Sequence, residues 1–286
     1  MARFDGKKIR GIVGDVVFKD SEDGKSTIVQ AAPVKVRLSK GSKGSNKKFG
    51  QASVLAGVIR KRMEQITQTF HDTKMALRSD AIIRDILNKC FDKNTKTYHF
   101  PDDCFKPLVG FEFNKKSLVT NSLYVTPEVS LNGNQISVNL PEIQLKKQLK
   151  FPKGSNCCEI NVIVSFIALE KGMIKSNAAQ SIEVESDVEV LPAQEFTFDV
   201  PDGVLCVVGL GLTYFSKTNN VKTLMISKAF KPANVCGTCL TPGVFVDPGP
   251  VKIGNKIRAS PWTKMEKMKL GGVLVIEDDV EDEESE

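Results

Sequence analysis

The sequence predicts a mainly β, α+β protein: an amino-terminal β-hairpin with two helices, then an antiparallel immunoglobulin-like β-sandwich and an extended carboxy-terminal segment. Three observations carry this. Two β-rich runs flank Asp23-Gly24, apolar residues recur every three or four positions between residues 52 and 91, and short alternating or apolar runs separated by turn residues fill 122–231. A chain of 286 residues exceeds one usual domain. The sequence divides into a basic hairpin and two-helix unit (1–97), a linker (98–121), the sandwich (122–231), an extended segment with an added strand (232–276) and an acidic tail (277–286).

Gly11–Phe18 and Ser26–Ala31 are the two hairpin runs, and Gly24 supplies the residue that tolerates positive φ between them. After Pro33, Val34-Lys-Val-Arg-Leu38 alternates apolar and basic side chains, so Lys35 and Arg37 project from one face while the other packs. Residues 39–48, rich in Ser and Gly and carrying Lys40, Lys43, Lys47 and Lys48, read as a flexible basic loop or arm. Ala52, Leu55, Ile59, Met63, Ile66 and Phe70 then form one apolar helix stripe, with Arg60, Lys61 and Arg62 mostly off it. A second helix is predicted over 73–91, with Ile82, Ile83, Ile86, Leu87 and Cys90 inward and Asp72 or Ser79 as cap. The two helices are expected to pair and cover the hairpin.

Pro101, Pro107 and Gly110 interrupt the pattern, and seven strands follow: 123–131, 135–140, 159–169, 181–191, 195–200, 204–214 and 221–229. Asn132-Gly133 marks a hairpin turn between the first two. Beyond Pro232, the Gly- and Pro-rich stretch argues for an extended crossing segment, and Leu270–Ile276 for one more strand.

Charge is unevenly spread under the overall +6. Residues 1–62 hold fifteen Lys or Arg against five acids, whereas 277–286 hold eight acids and no base. Such a basic stretch attracts phosphate, acidic lipid or an acidic protein. The candidate binding residues are Lys35, Arg37, Lys40, Lys43, Lys47, Lys48, Arg60, Lys61 and Arg62. Aromatic residues are few here (Phe4, Phe18, Phe49, Phe70), which points to backbone-type phosphate contact rather than base stacking.

Catalytic and metal signatures are weak. Cys236-Gly-Thr-Cys239 lacks the second ligand pair of a structural zinc site and lies between Pro232 and Pro242 in an expected loop. Gly209-Leu-Gly211 lacks the third glycine of a dinucleotide site and reads as core. Two histidines and no nucleophile elbow leave acid–base catalysis little to work with. No enzyme activity, cofactor or metal is expected. Seven scattered cysteines suit reduced thiols better than a disulfide framework. The charged first ten residues, and the absence of any apolar run of membrane-spanning length, suit a soluble cytoplasmic protein, or one assembled into a particle there.

Gly11-Ile-Val-Gly14-Asp-Val-Val17, Asp23-Gly24-Lys25, Val29-Gln30, Pro33 and Phe49-Gly50-Gln51-Ala52 together resemble the opening of a family of uncharacterised Bacteroidota proteins. In that family a glycine-containing strand, a Gly-Lys turn and a second strand precede a helix. The resemblance covers the amino-terminal third, implies a bacterium or its phage, and implies no activity. The expected function is therefore non-enzymatic: a structural or assembly protein, as in a phage virion or other multi-subunit bacterial particle, whose charged ends contact neighbours or further copies of the chain. The alternative is RNA or DNA binding through the basic arm.

Overall fold

The computed structural model describes residues 2–21, 26–32, 39–219, 221–225, 227, 229–253 and 256–274. The turn expected at Asp23-Gly24, the strand expected over 34–38 with Lys35 and Arg37, and the acidic residues 277–286 lie outside these. The chain divides into two compact units, an amino-terminal one ending at Gly44 and a larger one spanning Ser45–Glu277.

The first unit holds β1 (Arg3–Phe4), β2 (Ile9–Val13), β3 (Val16–Asp20) and β4 (Thr27–Ala31), an antiparallel sheet in sequence order. The run read as one strand, 11–18, is thus itself a hairpin. Gly14 at φ +54° turns it, and Val13 pairs with Val16. A Gly-Asp pair inside a valine-rich run is a turn signal that the continuous apolar reading passes over.

Helix α1 runs Lys40–Arg62, so residues 40–48 are helical and not the loop expected from their Ser and Gly content. Ser39 starts the helix: its Oγ accepts the Ser42 amide at 3.2 Å and its carbonyl the Lys43 amide at 2.9 Å. Each helical glycine costs about 1 kcal/mol against alanine, yet no proline intervenes and the buried Ala52–Ile59 stretch anchors the same helix downstream. The stripe continues through α2 (Glu64–Thr67), after which Gln68 and Thr69 take positive φ and end it before Phe70. Helix α3 (Met75–Cys90) buries Ile83, Ile86, Leu87 and Cys90 as expected. Neither expected cap holds: the residue before the helix is Lys74, without a side-chain cap, Ser79 lies inside the helix, and Asp72 Oδ1 accepts the Lys74 amide at 2.9 Å in the turn that precedes it.

The remaining elements are β5 (Phe91–Asp92), β6 (Thr97–Tyr98), β7 (Glu128–Asn132), β8 (Gln135–Leu140), β9 (Ile143–Gln144), α4 (Leu145–Gln148), β10 (Cys157–Ala168), β11 (Met173–Glu185), β12 (Val190–Leu191), β13 (Gln194–Asp199), β14 (Leu205–Thr218), β15 (Val221–Met225), β16 (Ala233–Leu240), β17 (Val251–Ile253), β18 (Lys256–Arg258) and β19 (Trp262–Lys264). The fold is mainly β and its sheets are antiparallel. The main sheet has the order β15-β14-β10-β11-β19, with β16 also paired to β14, and a smaller sheet has the order β13-β8-β7. Gly133, at φ +58°, turns β7 into β8 where Asn132-Gly133 predicts it.

Alternation along β10 and β14 divides the core. Ile160, Val162, Val164, Val208, Leu210 and Leu212 share one cluster with Ile136, Val138, Phe196 and Phe198 of the small sheet. On the opposite face, Ile163, Ile167, Leu205 and Val207 share another with Leu55, Ile59, Met63 and Ile66 of the helices. The helices therefore cover the main sheet, a layer that a two-sheet immunoglobulin-like arrangement does not have. The stretch read as a linker contributes Phe105, Leu108, Phe111 and Phe113 to this second cluster. The extended segment is likewise corrected at Ala233–Leu240, whose pairing with β14 sets Cys206 opposite Cys239. Prolines bracket that strand without entering it, so they mark its ends. Leu270–Leu274 adds no strand among the described residues.

Candidate functional site

Helix α1 carries seven of the nine cations singled out by sequence, and it separates them. At about 1.5 Å per residue, the fourteen steps from Lys47 to Lys61 span about 21 Å. The helix has no acid in its first turn, so its lysine-rich start adds charge to the positive end of the dipole, while Arg60, Lys61 and Arg62 complement the negative end.

In the carboxy-terminal group, the Arg60 side chain is committed to structure. Arg60 Nη1 bonds the Ser79 Oγ at 2.6 Å and forms an ion pair with Asp80. The Arg62 carbonyl accepts the Asn177 side-chain amide at 2.6 Å, and only Lys61 of the three is exposed. At the other end, Lys48 lies over the Phe91 ring, 4.7 Å from its centroid.

Lys47 stands on the wall of a cavity of about 730 Å³, together with Phe49, Gln51, Tyr98, Lys267 and Lys269. Gln51 ties the wall together: its Oε1 accepts the Tyr98 hydroxyl at 2.9 Å and its Nε2 donates to the Lys269 carbonyl at 3.2 Å. Burial pushes the Tyr98 phenol up to about 12, so it stays a hydrogen-bond donor at neutral pH. The cavity wall thus combines aromatic and aliphatic side chains with three lysines, Lys47, Lys267 and Lys269, and one carboxylate, Glu266. Lys267 and Lys269 lie more than two hundred residues from the basic arm, and no local pattern connects them to it.

No family model, curated protein or solved structure matches this chain. Among the described residues, no group of three or more His, Cys, Asp or Glu is placed to hold a metal ion. Cys236 and Cys239 sit on β16, not in a loop, and no described helix is long and apolar enough to cross a membrane.

A second surface was hidden in the amino-terminal strands. Pairing of Phe4 with Ile9, Phe18 with Gly11 and Val29, and Val16 with Val13 and Ala31 places all these side chains on one face of the sheet. Phe4 is 70%, Val29 58% and Val13 51% exposed. The sequence signal was present as alternation, but the face it generates needs the register that only the Gly14 turn sets.

Proposed function

We propose that the chain is a non-enzymatic assembly protein that self-associates through its amino-terminal sheet. The observation that carries this reading is the exposed Phe4, Ile9, Val13 and Val29 face. A small sheet with an uncovered apolar face gains little from burial and normally finds a cover. A second copy supplies an identical face, which a two-fold pairing matches to itself. The opposite charges of residues 1–62 and 277–286 also favour contact between copies, and the amino-terminal resemblance is compatible with a bacterial or phage particle.

Size-exclusion chromatography with light scattering, on the full chain across a salt and concentration series, tests the reading. Oligomers that dissociate on Val13→Asp with Val29→Asp, without change in circular dichroism, are expected. A monomer at every concentration, unaltered by these substitutions, would overturn it.

A second reading, backbone contact with RNA or DNA, is favoured by Lys47, Lys267 and Lys269, which line one cavity. Each phosphate contact on duplex DNA would contribute a log–log salt slope of about −0.9. Replacing Lys40, Lys43, Lys47 and Lys48 by Ala would then remove measurable affinity, whereas under the first reading there is none to remove.

A further inference from the structure

The β5–β6 hairpin folds the chain back on the end of α3, and the amide of His99 donates to the Cys90 carbonyl at 2.8 Å. The turn that follows, closed by the Cys104 amide on the Pro101 carbonyl at 3.0 Å, sets Cys104 on the wall of the same cavity as Cys90. Both cysteines are free thiols, and both line a cavity of about 480 Å³ with Phe91, His99 and Pro101. Cys206, opposite Cys239, has no exposed surface, whereas Cys90, though buried in the helix layer, keeps 6% of its surface and Cys104 is half-buried.

We propose that Cys90 and Cys104 form a thiol–disulfide exchange site that takes a small organic disulfide, such as oxidised glutathione, from this cavity.

The step balances within the pair and that reagent. The Cys90 thiolate attacks one sulfur of the small disulfide, the S–S bond breaks, and the leaving thiolate takes up a proton. Cys104 then loses its proton to solvent and attacks the Cys90 sulfur of the mixed disulfide, releasing the second small thiol and closing Cys90–Cys104. Two protein thiols are oxidised and one disulfide is reduced to two thiols. The division of roles follows the acidity of the two thiols. The Cys104 S–H donated to Cys90 holds the Cys90 thiol below its ordinary value, whereas that same bond and burial push Cys104 up.

The test uses the full chain and oxidised glutathione. Non-reducing peptide mass spectrometry is expected to show a Cys90–Cys104 bridge in the wild type and one stable glutathione on Cys90 in Cys104→Ser, with none on Cys104 in Cys90→Ser. A second measurement stands independently of the variants' folding. In the native wild type, both thiols should react with N-ethylmaleimide before treatment and about tenfold or more slowly after it, with Cys158 unreactive throughout. A stable glutathione adduct on the wild type, a Cys206–Cys239 bridge formed in preference, or unchanged labelling would overturn the proposal.

Discussion

A Cβ placed on Gly211 would lie 2.6 Å from the Ile66 Cβ, so strand β14 meets helix α2 with no space for even a methyl group between them. Gly209, two residues earlier on the same face, would meet the Met63 Sδ at 2.6 Å and the Ile66 Cδ1 at 2.8 Å. The Gly-Leu-Gly pattern thus serves close packing of helix on sheet.

Gly211→Ala should therefore destabilise the protein by about 1–3 kcal/mol, the usual range for overpacking. Gly209→Ala should cost less, because the atoms it meets are the flexible ends of side chains rather than a branched stem. Urea unfolding of the two variants checks both the size and the order. Equal and negligible effects would mean that the helix does not seat there.

Much of this architecture was legible beforehand. The helix stripes and the 135–140 strand follow from period alone, since Ala52, Leu55, Ile59, Met63 and Ile136 are buried where spacing puts them. What escaped depends on distant partners. Residues 40–48 look like a loop because propensity is local, whereas the anchoring of α1 is at Leu55 and beyond. Ala233–Leu240 looks like a loop because its prolines are outside the strand, and its pairing with β14 is invisible in its own composition. Of the candidate site, the lysines of α1 were readable, but the Asp80 partner of Arg60, and the cavity wall that Lys267 shares with Lys47, are facts of the tertiary fold.

Arg60 and Asp80 supply the next expectation. Their side chains are 19% and 23% exposed, and Ser53 adds its hydroxyl to the Asp80 carboxylate at 3.4 Å. Asp80→Ala should lower stability by about 1–2 kcal/mol, between the values for surface and buried pairs. A double-mutant cycle with Arg60→Ala should show coupling of about 1 kcal/mol by chemical denaturation. Strict additivity would show that the pair contributes nothing and that Arg60 is available to an external anion.

Lys231 is 1% exposed, with its Nζ 2.5 Å from the Thr213 Oγ1 and 3.4 Å from the Leu212 carbonyl. Burial pushes its ammonium down to about 8, against weaker upward pulls from Cys158 and Glu159. The folded state therefore releases this proton before the unfolded chain does, and the cost of burying the charge is present below about pH 8 and relieved as pH rises toward 10.5. Relative to Lys231→Met, which has no proton to lose, the wild type should gain about 2–3 kcal/mol over that interval. Thermal or urea unfolding of both proteins across the interval checks it, and a constant difference would mean that water reaches the ammonium.

Glu112 should give a pH dependence of the opposite sign. Its carboxylate oxygens each lie 3.1 Å from the Val119 amide, and its backbone carbonyl accepts Arg78 Nη2 at 3.0 Å. Arg78 is itself paired with Asp72, and Lys115 lies on the same cavity wall. Burial dominates: it pushes the Glu112 acid up to about 7, although the amides of Val119 and Thr120, Asn234 and Arg78 all pull it down. A folded value above the unfolded one means that folding retains a proton, so stability is fully present below about pH 4.5 and declines as pH rises through about 7. Glu112→Gln keeps an oxygen for the Val119 amide and stays neutral at every pH, so the slope should vanish in that variant. After allowance for partial solvent screening, the wild type should lose about 1–2 kcal/mol relative to Glu112→Gln across this window. Paired urea titrations near its two ends measure the difference directly. If the wild type instead gained stability toward neutral pH relative to the glutamine variant, the carboxylate would be better held by Arg78 and the Val119 amide than burial allows, and Glu112 would be ionised in the folded protein.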